Sequence, residues 1–200
     1  MDYPNSSDKD STSANALFAF PFPSHELAFQ ELAADRLFER IPFADRQPIV
    51  DAAWAKGVRA AQAIFEETKG NSNFIDICQQ HGITVVHRDL DCVYGSQRYF
   101  SDFVSKQLVV TLYDRSCELW ARQNQMSVSA AQNLILSHEF FHILEVTKLG
   151  LTAQDYQVPT LKLGPLVLIK SGVQALSEIG AHGFAYTYFQ LLSKKGISYE

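Results

Sequence analysis

The residues with the clearest chemical potential lie in Asn133–Glu145, which reads NLILSHEFFHILE. His138 and His142 are four apart, with Glu139 directly after the first. On a helix, residues four apart lie one turn above each other on the same face. Two imidazoles so placed reach one metal ion, and the glutamate beside them reaches a water on that ion. This is the HExxH pattern of zinc hydrolases, with the glutamate as general base.

The helix is expected on other grounds too. Ser129 and Gln132 form an S-x-x-Q capping box at its start. Leu134, Leu136, Phe140, Phe141, Ile143 and Leu144 spread apolar side chains around most of its circumference, as in a helix buried in a protein interior. Lys148 and Gly150 mark its end. Buried imidazoles need partners. A metal is one; a pair of hydrogen-bonded core histidines is the plainer alternative.

A catalytic zinc ion (Zn2+) takes three protein ligands and keeps one open position. The third ligand is expected downstream, where Asp155 and Glu178 precede the C-terminal residue. Asp155 sits in turn-like LTAQDYQVP, whereas Glu178 sits in helical SGVQALSEIGAHGFAYTYFQLL. Glu178 is the preferred ligand. His182, four residues on, shares its helix face. It is either a partner that orients a ligand or the third ligand itself with Glu178 orienting it. His182, Tyr156 and Tyr186 are candidate donors to an oxyanion, while Phe184, Tyr186, Tyr188 and Phe189 read as core packing.

EIGAHGFA, Glu178 to Ala185, resembles the E-x-E-A-N-x-F-A signature that follows HExxH in the ImmA/IrrE-type metallopeptidases. The resemblance covers roughly residues 65–192, with a helix leading into Gly82, Ile83 and Val85, then a hairpin, then the motif helix. It implies a gluzincin, with His138, His142 and Glu178 as zinc ligands and Glu139 as catalytic base. His182 stands where the family usually has Asn. Phe141 stands where it has a small residue, Gly180 replaces a second acidic residue, and the interval from His142 to Glu178 is long. Family members often cleave a partner transcriptional repressor, and many carry a helix-turn-helix domain, which is not evident here. The resemblance implies a peptide or protein substrate of that kind in a cytoplasmic setting. The departures at Phe141 and His182 keep open a non-catalytic metal-binding regulator built on the same fold.

Composition sets outer bounds. Two hundred residues with 46% hydrophobic content fit one globular domain. A net charge of −5 without a basic patch argues against direct nucleic-acid binding. Apolar runs are too short for a membrane span, and the polar, serine-rich start is unlike a secretory signal. Cys78, Cys92 and Cys117 are widely spaced and odd in number, as expected of reduced structural thiols.

The elements expected to position the site form an α+β, mainly helical zincin-like domain with a sheet of about three strands. Residues 1–15 are expected to be a disordered tail, and Phe18–Pro23 to pack extended against the domain. Residues 16–200 then form one domain. Its helices, about 24–40 and 46–69, are an appendage to a catalytic core, 70–195. A short helix from Ser72 or Asn73 ends at His81, expected to be a surface residue at the helix C-terminus. Ile83–His87 is a strand, and 88–97 a connection. Arg98–Val104 and Gln107–Tyr113 pair as strands, and Asp114 caps a helix to about Arg122. Thr152–Ser171, interrupted by Gly164-Pro165, reads as a loop with a short strand. The last helix runs from about Val173 to Lys194.

Overall fold

The structure, a computed structural model, describes residues 21–163 and 166–197. The expected disordered tail, Phe18–Phe20 and the Gly164-Pro165 interruption lie outside the described residues. Helices α1 (Ala28–Ala33), α2 (Phe43–Glu67) and α3 (Phe74–Gln80) come first, then strands β1 (Thr84–Arg88), β2 (Cys92–Tyr94), β3 (Gln97–Tyr99), β4 (Ser101–Val104) and β5 (Val109–Tyr113). Helices α4 (Asp114–Gln123) and α5 (Val128–Leu144) follow, then β6 (Gln157–Leu163), β7 (Leu166–Gly172) and α6 (Ala175–Lys194). The class is mixed α+β with small sheets.

The main sheet has three strands in the order β1-β5-β4, with β1 parallel and β4 antiparallel to β5. Val110 and Leu112 of the central strand are fully buried. They join Leu134, Phe140, Phe184 and Tyr188 in one core cluster between α5 and α6. Phe184, Tyr188 and Phe189 are core residues, as expected; Tyr186 packs instead on a second cluster beside Trp54.

Helix α2 is not peripheral. Ala60, Ala61, Ile64 and Phe65 enter the same core as the motif helix. Gly57 lets α2 lie against α6: a Cβ there would come within 2.0 Å of the Gly180 carbonyl oxygen. No side chain fits such a backbone contact.

Several expectations need correction. The helix expected over 24–40 is only α1 flanked by 3-10 turns at His25–Leu27 and Phe38–Arg40. Asp35 breaks it: its carboxylate accepts from the backbone N–H of Leu37 at 2.7 Å and from that of Ala175 at 2.9 Å. Such local side-chain bonds compete with helix continuation. The cap of α5 is Ser127, whose hydroxyl accepts from the Ala130 N–H at 3.1 Å, not Ser129; Gln132 donates to Asp114 instead. Asp114 is the first residue of α4 and makes no capping bond; its carboxylate also meets His87 Nδ1 at 2.9 Å. The expected connection at 88–97 contains β2, and the strand expected over Arg98–Val104 is split: Arg98 and Tyr99 belong to β3, which pairs with β2, and only Ser101–Val104 pairs with β5. The expected loop at 152–171 contains hairpin β6–β7. His81 is half-buried, edge-on to Phe140 and 3.5 Å from Glu67. Burial lowers its pKa despite Glu67.

The thiols of Cys78 and Cys117 are free and buried, and burial pushes both up to about 12. Among the described residues, no helix is long and apolar enough to cross a membrane.

Candidate metal centre

Helix α5 carries His138 and His142 on one side while its other residues fill the core. Ala130, Leu134, Leu136, Phe140, Phe141 and Ile143 are all 2% exposed or less. This two-sided burial fixes the helix rotation and therefore the histidines. Glu178 comes from the first turn of α6, whose start is tied to the turn after α1 through Asp35 and Ala175.

The three side chains converge. His138 Nε2 and His142 Nε2 are 3.3 Å apart. Glu178 Oε2 lies 3.2 Å from His138 Nε2, and Glu178 Oε1 3.5 Å from His142 Nε2. The group has ligand atoms within 4.8 Å of one another. Among the described residues it is the one such cluster able to hold a metal ion. Donors bonded at ~2.0–2.1 Å around tetrahedral zinc lie roughly 3.3–3.4 Å apart, so these separations fit the donor set. The histidine side chains are 14% and 20% exposed, whereas that of Glu178 is 46% exposed, leaving an open side. Asp155 is elsewhere, paired with Lys56 at 2.7 Å.

Behind His142 stands a carboxylate that the sequence reading did not assign. Glu145, 2% exposed, meets His142 Nδ1 at 2.9 Å. It also accepts from the Thr152 N–H at 2.7 Å and the Ser177 hydroxyl at 2.8 Å. Ser177 Oγ in turn accepts from the Ala153 N–H at 3.1 Å. A carboxylate on the far nitrogen fixes a ligand histidine's tautomer and raises its basicity. The spacing was a usable signal, because Glu145 is three residues after His142 and falls on its face.

The electrostatics follow from these contacts. Burial alone would lower the His142 pKa, but hydrogen bonds to Glu145 and Glu178 outweigh it and push it up to about 10. Burial would raise the Glu178 carboxyl, yet its bonds to His138 and His142 hold it far below the usual range. Glu145 is likewise lowered by His142, Thr152 and Ser177 against the effect of burial.

Glu139 points the other way from the core. Ser101, the first residue of β4, donates to its carboxylate at 2.6 Å. Nothing in the sequence spacing pairs these two. Glu139 and His138 form the polar end of a cavity of about 200 Å³ whose other walls include Phe22, Tyr99, Phe100 and Ile135. A second cavity of about 300 Å³, lined by Glu31, Asp35 and Gln174, borders Glu178. Burial and the nearby Glu178 raise the Glu31 carboxyl.

His182 is outside the ligand cluster. Its ring centroid is 5.1 Å from that of His138 and 5.6 Å from that of Phe22. Burial, then the neighbouring His138, lower its pKa to about 3, so it is a neutral imidazole at neutral pH. The Nδ1 atoms of His138 and His182 are both buried without a hydrogen-bond partner. Tyr156, a candidate oxyanion donor, gives its hydroxyl to Asp45 at 2.6 Å. Burial and that carboxylate raise its phenol to about 12.

No protein-family model, curated protein or solved structure matches this chain.

Proposed function

We propose that this chain is a zinc-dependent peptidase with a zincin-like core. The observation that supports this most is the convergence of His138, His142 and Glu178 at tetrahedral spacing, with Glu139 beside them at the mouth of a cavity. The acidic base, the open side of Glu178 and the two flanking cavities suit a peptide lying across the centre.

When bound there, zinc would lower the pKa of a water toward about 7 and polarise the scissile carbonyl. Glu139 accepts the water's proton as the new C–O bond forms, then delivers it to the leaving amine as the C–N bond breaks. Ser101 holds the Glu139 carboxylate toward the cavity. Glu145 keeps His142 oriented, and Phe22 and Phe100 wall the cavity beside Glu139. Strand β4 is an edge of the main sheet, so an extended substrate can pair with it by strand addition.

The resemblance to the ImmA/IrrE-type gluzincins supplies the class of substrate: a regulatory protein such as a transcriptional repressor. The reading is tested by metal content and peptide hydrolysis of the purified chain, beside a His138→Ala/His142→Ala variant. About one zinc per chain, lost in the variant together with hydrolysis, is expected. Absence of zinc after incubation with the metal would leave two core histidines and overturn the proposal.

A further inference from the structure

We propose that the cavity beside Glu139 receives one apolar side chain of the substrate, next to the scissile bond, and that Phe22 sets its size. This rests on the peptidase reading.

The cavity's place makes it a substrate subsite. It opens on Glu139 and His138, so whatever fills it is adjacent to the reacting carbonyl. Its size is that of a side chain. About 200 Å³ far exceeds the ~30 Å³ share of one water and falls below the ~300–1,000 Å³ of pockets that take whole small molecules. Four of its walls are apolar or aromatic, Phe22, Tyr99, Phe100 and Ile135, and the polar ones, Arg98, Ser101, His138 and Glu139, include the catalytic side. The cation among its lining residues, Arg98, is held by Asp91 through bonds of 2.7 and 3.1 Å. An acidic substrate side chain therefore meets no free positive charge from it. An apolar side chain gains by leaving water in proportion to the area it buries.

Phe22 is the wall that comes from outside the core. It precedes the first helix, and its ring packs against Trp120, His138 and His182 at centroid distances of 5.5, 5.4 and 5.6 Å. Pro21 and Pro23 flank it. Proline fixes its own φ and favours an extended residue before it, which limits the freedom of the segment. The ring thus packs on His138 and lines the cavity beside it. Its volume is a direct control on the depth of that space.

The test uses the full chain loaded with zinc, together with Phe22→Ala and Phe22→Trp. The probes are N-blocked peptide hydroxamates carrying Gly, Ala, Leu, Phe or Trp next to the hydroxamate. Affinity is read by calorimetry. Matching peptides are followed for kcat/KM. Unchanged zinc content and thermal midpoint show that the variants fold. Wild type is expected to favour Leu over Gly by about tenfold or more. Phe22→Ala should move the optimum to Phe or Trp, and Phe22→Trp should move it to Ala. An order of preference that neither variant changes overturns the role of Phe22, and a wild type blind to side-chain size overturns the subsite. Size-dependent hydroxamate binding without hydrolysis of any peptide would keep the pocket and overturn the peptidase reading. Failure to bind zinc and every hydroxamate would overturn both.

Discussion

The ring of Phe141 occupies the space that a side chain at Gly180 would need. A Cβ on Gly180 would lie 2.7 Å from both Cε1 and Cζ of that ring. The bulk of Phe141 and the missing side chain at Gly180 thus compensate each other. The bulky residue before His142 is taken up by the missing side chain on α6, so it does not press on the ligands. Gly180→Ala should destabilise by ~1–3 kcal/mol through overpacking, set against the ~1 kcal/mol that alanine gains over glycine in a helix. Phe141→Ala should cost ~3–5 kcal/mol through a cavity. The double variant should be more stable than the sum of the two predicts, with a coupling of ~0.5–3 kcal/mol. Urea unfolding of the four proteins measures it. Strict additivity would show that the contact carries no energy.

Glu139→Gln should retain zinc and lose hydrolysis, because the amide cannot take the proton. Ser101→Ala should retain zinc and part of the activity, since it removes only the hydrogen bond that aims the carboxylate. Elemental analysis and peptide turnover, measured on the same preparations, separate the two effects. An active Glu139→Gln enzyme would sink the general-base role.

The third ligand has its own check. Glu178→Ala should empty the centre far more than Asp155→Ala, whose carboxylate is engaged by Lys56. Equal zinc contents would mean that Glu178 is not a ligand.

Removing the carboxylate behind His142 should weaken zinc without touching a ligand. Glu145→Gln would turn an amide N–H toward the donor side of His142, and ~10–100-fold weaker binding is expected. Ser177→Ala, which removes one of the bonds to Glu145, should have a smaller effect in the same direction. Competition with a chromophoric chelator gives both constants. Wild-type affinity in Glu145→Gln would show that the contact does not tune the centre.

The metal-free protein should have a distinctive pH profile. The folded pKa of His142, about 10, lies above its ordinary 6.5. Its stabilising effect is complete below 6.5 and is lost as pH rises through about 10. Glu178 is depressed below its ordinary 4.5; its contribution is present above 4.5 and is lost as pH falls through its folded value. The thermal midpoint of wild type should therefore fall relative to His142→Gln between pH 6.5 and 10. Zinc must displace the His142 proton, so zinc affinity should rise over the same interval. A constant difference between the two proteins would remove the predicted ion-pair coupling.

The sequence by itself determined the helix that carries the chemistry and the placing of His138, Glu139 and His142 on it. A four-residue spacing on a helix fixes faces whatever surrounds it. It also determined the mixed α+β class, the pairing of Ser101–Val104 with β5 across a short turn, and the long final helix. Hairpins β2–β3 and β6–β7 were illegible. Their residues are largely exposed on both faces, as at Leu166–Lys170, and a strand without a buried face shows no alternation. The break after α1 depended on Asp35 bonding to Ala175, a partner distant in the chain. Tertiary structure alone brought Glu178 within 3.2 Å of His138, Ser101 to Glu139 and Phe22 to the rim of the centre. Each of these contacts joins segments that local periodicity cannot relate: α5 with α6, β4 with α5, and the chain before α1 with α5.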